Sequence, residues 1–396
     1  MARLRTLRGN EGGSVKVASI RGYHVGFAPS PALGNASTFI RRRDFLLLQL
    51  IGADGSTGWG EVFSSPFAAA AFVRAKLAPL VLGRRARDTG RLYDAMLGTL
   101  GYDRRGAAMM AVSAVDMALH DLAARGQDIS VAQMLGGAVR DRMLAYASGP
   151  FIAEGGAPYA AYPAQVDDLL HRGFRAIKPR VGAGPRRDGA AMRAMRGQAG
   201  ADVALMVDIN QGYTVGAALE SARHMEEADL LWIEEPLQPE DIGGYQAVAR
   251  GVRCAIAGGE ALASLAAFRD FLVARTFSVL QPDLTVCGGF SGFRRVAALA
   301  DAFDVPVMPH VFGTLVNAHA ALQMGALLAA RRGGGPMPYP FIEIDVTPNP
   351  LLSLLGAMEP RADGTMTVPD GPGIGIDLDP ARLAPWITET WRLDAA

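Results

Sequence analysis

The sequence is short of lysine and cysteine and carries no excess of charge of either sign. Only Lys16, Lys76 and Lys178 are lysines, and the other basic residues are Arg. Basic and acidic residues number 39 each, so the basic excess typical of nucleic-acid-binding proteins is missing. The two cysteines, Cys254 and Cys287, are too few for a disulfide framework and favour a reducing compartment. We therefore predict a cytoplasmic protein with no nucleic-acid partner.

Long apolar runs are missing as well. No run approaches the roughly 18 uninterrupted apolar residues of a membrane span, so we predict no membrane partner. Residues 1–13 are charged, contain glycine and lack the apolar segment of a signal peptide, and we expect them to be flexible. The 396 residues, half of them hydrophobic, can bury one large core or two moderate ones.

The first third of the chain has the pattern of an α+β domain. Residues 45–51 are typical of a strand, residues 53–56 of a turn, and residues 58–61 of the start of the next strand. Helical spacing follows, including an amphipathic helix over residues 111–122. We predict an N-terminal α+β domain over residues 1–140.

From residue 141 the pattern changes to short apolar strands that alternate with helices. Helical stretches include residues 217–228, 265–274 and 293–303. Alternation at this period predicts a parallel sheet closed by helices, here over residues 141–350. The predicted strands cover residues 175–180, 204–208, 231–234, 256–260, 279–283 and 307–310, with another ending near residue 343.

Polar residues end five of these strands at a nearly constant spacing. Asp208, Glu234, Glu260, Asp283 and His310 are separated by 26, 26, 23 and 27 residues, about one βα unit each. In a barrel of such units, residues at the ends of the strands meet at one rim, where active sites lie. A single acid there could instead cap the following helix, but five polar residues in register favour a common site.

Three of these residues form a predicted metal site. Carboxylates on adjacent strands are the hard oxygen ligands that Mg²⁺ prefers, so we predict that Asp208, Glu234 and Glu260 hold one Mg²⁺ ion. Asn210 follows Asp208 by two residues, and along a strand it would face the same way and bind substrate or a metal-bound water. Glu235 would point to the other face as a structural residue, although an exchange of roles with Glu234 stays open.

Two cations and a histidine suggest the chemistry. Removal of a proton next to a carboxylate requires concentrated positive charge, which a metal ion and Lys178 would supply together with Arg180 on the same strand face. His310, oriented by Asp283, would be the acid–base group. The alternatives are a surface Lys-Pro-Arg turn for the cations and a buried structural histidine for His310.

Together these motifs resemble the mandelate racemase subgroup of the enolase superfamily. The resemblance implies an N-terminal cap, a modified (β/α)₇β TIM-type barrel, and a C-terminal segment, residues 351–396, that packs back on the cap. It also implies Mg²⁺, a His–Asp dyad, and a Glu343 that hydrogen-bonds the substrate carboxylate; we also expect a homo-oligomer. The matching segments are residues 113–120, 178–180, 207–210, 232–236, 259–260, 281–283, 309–310, 342–343 and 368–375.

One departure from the family pattern bears on the reaction. Arg180 stands where the family has a second lysine, and a guanidinium is a poor base. A one-base reaction is therefore favoured, in which His310 removes the α-proton and helps expel a β-hydroxyl while Arg180 binds substrate. We predict dehydration of an aldonate or aldarate to a 2-keto-3-deoxy acid. The alternatives are a racemase or epimerase, a sugar-acid lactone cycloisomerase, and a catalytically inactive relative.

Substrate selection would fall to loops of the cap. Residues 23–39 and 63–67 contain proline or glycine and aromatic residues typical of lids that exclude water. The arginines at 41–43 are expected to be a solvated charge run, although contact with a distal substrate carboxylate stays open. Residues 331–335 are expected to be a flexible surface loop.

Overall fold

Two β-sheets organise the protein in a computed structural model that describes residues 15–102, 104–331 and 338–396. One sheet is antiparallel with four strands, and the other is parallel with seven strands. The predicted flexibility of residues 1–13 lies outside the described residues, as does most of the predicted loop over residues 331–335.

The antiparallel sheet belongs to the cap and uses both ends of the chain. Its order is β14-β1-β4-β5, so a strand from the C-terminus pairs with the first strand of the chain. The central strand β4 has an apolar run that is buried on both faces, which accounts for its length. The strands of this part are β1 (Val17–Phe27), β4 (Arg43–Gly52), β5 (Thr57–Val62) and β14 (Ile387–Asp394), with a small hairpin of β2 (Leu33–Gly34) and β3 (Phe39–Ile40).

Helices cover one face of this sheet. The long helix α4 passes so close to β5 that a Cβ on Gly60 would lie 1.9 Å from the carbonyl oxygen of Ala114. Among the described residues, α4 alone is long and apolar enough to cross a membrane, and most of it is buried in the fold, as in the core helix of a globular protein. The cap helices are α1 (Pro66–Phe72), α2 (Ala78–Val81), α3 (Thr89–Leu97), α4 (Gly106–Arg125) and α5 (Val131–Met134), with a π-helical turn at Val73–Leu77.

The parallel sheet forms the barrel, in the order β11-β10-β9-β8-β7-β6-β12, and β13 (Thr365–Thr367) pairs antiparallel with β6. Its strands are β6 (Arg142–Ser148), β7 (Ala176–Lys178), β8 (Ala204–Asp208), β9 (Leu230–Glu234), β10 (Ala255–Gly258), β11 (Val279–Leu280) and β12 (Ile342–Asp345). The barrel helices are α6 (Tyr162–His171), α7 (Pro185–Ala199), α8 (Val215–Met225), α9 (Ile242–Gly251), α10 (Leu265–Val273), α11 (Gly289–Asp301) and α12 (Leu315–Gly325). Two 3₁₀ helices lie at Glu226–Ala228 and Pro380–Trp386.

The barrel strands are shorter than predicted where proline interrupts them. The expected strand over residues 307–310 is reduced to one bridge between Val307 and Leu280. Proline has no N–H to donate to a ladder, and Pro306 and Pro309 frame this stretch. Glu343, expected at a strand end, lies inside β12.

Aromatic side chains from several strands fill the interior of the barrel. Tyr146, Trp232, Tyr339 and Phe341 are buried, with ring centroids 5.1–6.2 Å apart in the contacting pairs. The ammonium of Lys178 lies 5.2 Å from the ring centroid of Tyr146, so this layer supports the rim from below. The predicted fold class, a modified barrel with an α+β cap, is confirmed. The division of the chain near residues 140 and 350 stays a prediction.

Candidate active site

The three carboxylates predicted to bind a metal lie together at the rim. Asp208 and Glu234 end adjacent strands, Glu260 follows β10, and one oxygen of each lies within 4.8 Å of the others. Asp208 and Glu234 are buried, whereas the side chain of Glu260 is 22% exposed, so the cluster opens on the Glu260 side. Burial raises the pKa of all three, and neighbouring carboxylates add to the effect. Three like charges at this spacing, two of them buried, fit a divalent cation.

Glu234 is held by residues that the sequence patterns did not identify. Its Oε2 accepts hydrogen bonds from Trp232 Nε1 at 3.0 Å and Gln281 Nε2 at 2.7 Å. Trp232 precedes Glu234 by two residues on β9, so strand periodicity could have placed both side chains on one face. Glu235 instead accepts from Gln211 Nε2 at 2.6 Å and lies outside the metal-ligand group, as its structural interpretation expects.

Lys178 joins the metal-binding carboxylates to Glu343. Its ammonium forms an ion pair with Glu234 and lies 3.1 Å from Glu343 Oε1 and 4.0 Å from Asp208 Oδ2. Burial alone would lower the pKa of Lys178, but the carboxylates, Glu234 first, outweigh burial and raise the pKa above its ordinary value. Lys178 is therefore a fixed cation in this arrangement.

Arg180 lies at the Asp208 side of the cluster. Its Nη1 is 3.3 Å from Asp208 Oδ2, its Nη2 donates to Ser148 Oγ at 3.0 Å, and its guanidinium stacks 4.8 Å from the ring centroid of Phe151. Burial lowers the pKa of Arg180, but the carboxylates, led by Asp208, raise it above its ordinary value. Arg180 therefore stays charged and can donate to substrate oxygens but cannot accept a proton.

His310 lies at the other side of the cluster, with both ring nitrogens engaged. Nδ1 is 2.7 Å from Asp283 Oδ2, and Nε2 is 3.1 Å from Glu260 Oε2. Asp283 is fixed in turn, because its Oδ1 accepts from the backbone N–H and the hydroxyl of Thr285 at 2.7 Å each. Burial lowers the pKa of His310, but Glu260, Glu343 and Asp283 together raise it to about 10. A cation bound by Glu260 and its neighbours would offset part of this effect.

Glu343 reaches the site from inside β12. Its Oε2 accepts from the backbone N–H of Val311 at 3.0 Å and lies 4.0 Å from His310 Nε2. Burial raises the pKa of Glu343, but Lys178, His310 and Arg180 outweigh burial and lower it below its ordinary value. Glu343 is thus an ionised acceptor here, and the predicted hydrogen bond to a substrate carboxylate would require it to take up a proton.

The predicted placement of Asn210 is wrong. β8 ends at Asp208, and the backbone turns left-handed at Asn210, with φ 45°, so the two residues do not share a strand face. Instead, Asn210 holds the carboxylate, donating from its backbone N–H to Asp208 Oδ1 at 2.7 Å and from Nδ2 to Oδ2 at 2.9 Å. These hydrogen bonds orient Asp208, and the contact of Asn210 with substrate or a metal-bound water stays a prediction.

The expectation of a solvated charge run at residues 41–43 is wrong for Arg43. Arg41 and Arg42 are largely exposed and pair with Glu154 and Asp44. Arg43 is buried instead, and its Nη1 lies 2.6 Å from Asp345 Oδ2 on the barrel strand β12. Contact of the arginine run with a distal substrate carboxylate stays an alternative. A run of arginines in the sequence does not indicate which of their side chains will be buried by contact with another domain.

The two predicted lid segments both reach the rim, although their bounds differ. Residues 23–27 belong to β1, so the first loop begins at residue 28, and from it Ser37 Oγ donates to the carbonyl of Asn210 at 2.9 Å. In the second, the ring of Phe63 meets that of His310 edge-on at 6.3 Å, and α1 begins at Pro66. Their role in substrate selection stays a prediction.

Together, the sheet closed by helices and the rim of acids, cations and a His–Asp pair have the architecture of a barrel enzyme. Residues 27–136 match the family described as mandelate racemase / muconate lactonizing enzyme, N-terminal domain, and residues 161–382 match the family described as enolase C-terminal domain-like. The chain belongs to the enolase superfamily, in its mandelate racemase subgroup, and the predicted resemblance is confirmed.

Several similar proteins have names that refer to sugar acids or their lactones. The chain is 32% identical to the D-galactarolactone cycloisomerase of Agrobacterium fabrum, over 92% of this chain and 97% of that protein. It is 33% identical to the 3,6-anhydro-alpha-L-galactonate cycloisomerase of Streptomyces coelicolor, over 90% and 95%. The crystal structure of L-talarate dehydratase from Polaromonas, complexed with Mg and L-glucarate, matches with a TM-score of 0.83 and 27% identity over 97% of this chain and 100% of that chain.

Proposed function

We propose that this protein is a Mg²⁺-dependent enzyme that removes the proton α to the carboxylate of an acid sugar and then eliminates a β-oxygen to give a 2-keto-3-deoxy acid. One observation carries the proposal: His310, oriented by Asp283, and Arg180, a cation that cannot accept a proton, lie on opposite sides of one carboxylate cluster. A site with one base and one fixed cation suits elimination better than a two-base racemisation.

Asp208, Glu234 and Glu260 are the residues that would hold the ion. A bound Mg²⁺ supplies positive charge to the oxygens on which negative charge develops when the α-proton leaves. The relatives' structures support this choice, since one is complexed with Mg and an acid sugar. In this proposal Lys178 donates a hydrogen bond to the same substrate carboxylate from the β7 side.

The protons can be followed through the chain's own residues. His310 Nε2 takes the α-proton, the electrons of the broken C–H bond form a C=C bond, and the β C–O bond breaks. The protonated His310 then gives its proton to a departing hydroxyl, water leaves, and the enol tautomerises to the 2-keto acid. Arg180 holds a substrate hydroxyl or a second carboxylate through its paired N–H groups.

A cycloisomerase is the second candidate, and the relatives favour it specifically. Two proteins at 32% and 33% identity bear cycloisomerase names. In a lactone the β-oxygen belongs to the ring, so the same proton removal expels a carboxylate and opens the ring without loss of water. The steps at His310 and Asp283 are unchanged up to the departure of the β-oxygen. The two reactions therefore differ in the leaving group and not in the base.

The test is a set of incubations in D₂O with Mg²⁺ and aldonates, aldarates and their lactones, followed by ¹H NMR and mass spectrometry. A keto acid formed from an open-chain aldonate or aldarate supports dehydration, and a keto acid formed from a lactone but not from its open-chain acid supports cycloisomerisation. Deuterium at the α-carbon without keto acid would replace both with an epimerase or racemase. No reaction with any of these compounds would contradict the proposal. The expected cytoplasmic location and homo-oligomeric state stay predictions.

A further inference from the structure

The segment that carries the catalytic base, residues 310–314 (the base segment), has one backbone hydrogen bond to the barrel sheet, from the N–H of His310 to the carbonyl of Pro282 at 3.2 Å, and beyond His310 it is held by side chains. Beyond Val307 it makes no strand pairing in the described residues. Within the barrel, Glu343 accepts from the N–H of Val311 at 3.0 Å, and Asn349 Nδ2 donates to the carbonyl of Gly313 at 2.9 Å. The other two hydrogen bonds between a side chain and the backbone of the base segment come from residues of the cap.

Arg43, from strand β4 of the cap, holds the middle of the base segment. Its Nη2 donates to the carbonyl of Phe312 at 2.6 Å, and its Nη1 donates to Asp345 Oδ2 at 2.6 Å. The guanidinium also lies 3.9 Å from the ring centroid of Phe312. Both members of the ion pair are buried, so this contact is not screened by solvent and fixes the segment in two directions.

Glu61, from strand β5 of the cap, holds the end of the base segment. Its carboxylate accepts from the N–H of Thr314 at 2.9 Å, the hydroxyl of Thr314 at 2.6 Å and the N–H of Asn317 at 2.9 Å. It therefore lies at the N-terminus of α12, where a negative charge is favoured. The fit is close, since a Cβ on Gly313 would lie 2.2 Å from Glu61 Oε1.

We propose that the cap residues Arg43 and Glu61 are positioning residues for His310, so that the cap sets the geometry of the base as well as covering the site. This inference rests on the proposed function of His310. Because residues 311–314 make no backbone hydrogen bond to a neighbouring strand in the described residues, losing one of these side-chain contacts lets the base segment shift relative to Glu260 and the carboxylate cluster. A displacement of about 1 Å can cost roughly 100-fold in rate.

A matched control separates positioning from general stability. Asp121, on the cap helix α4, is also a fully buried carboxylate that accepts from two backbone N–H groups, those of Trp59 and Ile374, at 2.8 Å each. It joins α4 to strand β5 and to the C-terminal segment and also accepts from Arg125 Nε at 3.0 Å, and its hydrogen bonds do not involve the base segment. Asp121→Asn should therefore cost stability as Glu61→Gln does, without moving His310.

The experiment compares kinetics, Mg²⁺ binding, thermal unfolding and amide hydrogen exchange for the two variants. Glu61→Gln is expected to lower kcat about 10- to 100-fold, with KM and the Kd for Mg²⁺ within about threefold of wild type. Exchange should accelerate in peptides covering residues 310–317. Asp121→Asn should lower the Tm comparably but leave kcat within about threefold and leave exchange over 310–317 unchanged. If Glu61→Gln does not fold, Thr314→Val removes one of the same hydrogen bonds.

Arg43 offers a graded version of the same test. Lysine carries its charge on a single ammonium group. At this position it therefore cannot bind Asp345 and the carbonyl of Phe312 with the forked geometry of the arginine guanidinium. Arg43→Lys should therefore recover part of the kcat lost in Arg43→Met, again with KM nearly unchanged. An Arg43→Lys variant with no more activity than Arg43→Met, at equal Tm, would count against positioning.

The outcomes distinguish failure of the inference from failure of the proposed function. If Glu61→Gln destabilises the protein but keeps kcat within threefold, or does not alter exchange over 310–317, the cap does not position the base. If the wild type turns over no acid sugar, the proposed function fails. In that case the amide hydrogen exchange of Glu61→Gln and Asp121→Asn alone decides whether the cap holds the base segment.

Discussion

Replacing Asp283 with asparagine should remove the base without removing His310. Asp283 Oδ1 accepts both the N–H and the hydroxyl of Thr285, and Oδ2 faces His310 Nδ1 at 2.7 Å. In the asparagine variant the amide oxygen stays towards Thr285, because the backbone N–H there needs an acceptor. The NH₂ group then faces Nδ1, which must accept, and the ring proton moves to Nε2. A protonated Nε2 cannot take the α-proton.

The size of the effect follows from the same geometry. An Asp→Asn change that imposes the wrong histidine tautomer costs about 10⁴-fold in a serine-protease triad. We expect kcat to fall about 10³- to 10⁴-fold, which corresponds to roughly 4–5 kcal/mol at 1.36 kcal/mol per tenfold. Mg²⁺ affinity should stay within about threefold, because Asp283 lies outside the three-carboxylate cluster.

The assay should follow the step that all candidate reactions share. Loss of the substrate α-proton, measured by ¹H NMR in D₂O, reports the base whether the product is a dehydrated acid, an opened lactone or an epimer. Thr285→Val is the control, since it removes one hydrogen bond to Asp283 Oδ1 and leaves the charge beside His310 in place. A loss below tenfold in Asp283→Asn would refute the assignment of the dyad.

Four further predictions address the base, the second cation, the cap and the metal. His310→Asn should lower α-proton exchange by at least about 100-fold while Mg²⁺ affinity, measured by calorimetry, stays near normal; unchanged exchange would remove His310 from the mechanism. Arg180→Lys supplies an amine that can accept a proton on the other side, so epimer formation, measured by NMR, should rise above wild type; an unchanged epimer ratio would argue against that placement. Burial raises the pKa of Glu61 from 4.5 to about 7. The folded state therefore binds this proton more tightly than the unfolded state, so the contribution of Glu61 to stability is fully present below about pH 4.5 and falls by up to about 3 kcal/mol as the pH rises through about 7. Urea unfolding should show this component in wild type but not in Glu61→Gln, and equal pH slopes would contradict it. Removing Mg²⁺ with a chelator should abolish turnover and leave the three carboxylates without their shared divalent ion, so Mg²⁺ should raise the Tm of wild type more than that of Glu260→Gln; equal shifts would place the ion elsewhere.

Sequence spacing located the rim residues well, because strand ends repeat with the βα unit. Asp208, Glu234 and Glu260 meet as the spacing predicts, and the Asp283–His310 contact follows from the same register. Two facts are enough for this prediction. The βα repeat has a nearly constant length, and the ends of parallel strands meet at one rim of a barrel.

The features that spacing missed depend on local backbone or on domain docking. Asn210 was misplaced because the strand ends two residues earlier in a left-handed turn, which the alternation of side chains does not reveal. Arg43 was misjudged because its burial is created by the barrel and not by its neighbours in sequence. Gln281 lies two strands away from Glu234 in the sheet, so spacing along the sequence does not reveal the hydrogen bond between them.

The most direct test of the account is a crystal structure of the protein grown with Mg²⁺. The account predicts one ion bound by an oxygen from each of Asp208, Glu234 and Glu260 at roughly 2.0–2.1 Å, with His310 and Arg180 on opposite sides. An ion bound away from these three carboxylates, or a cluster that stays without metal at millimolar Mg²⁺, would contradict it.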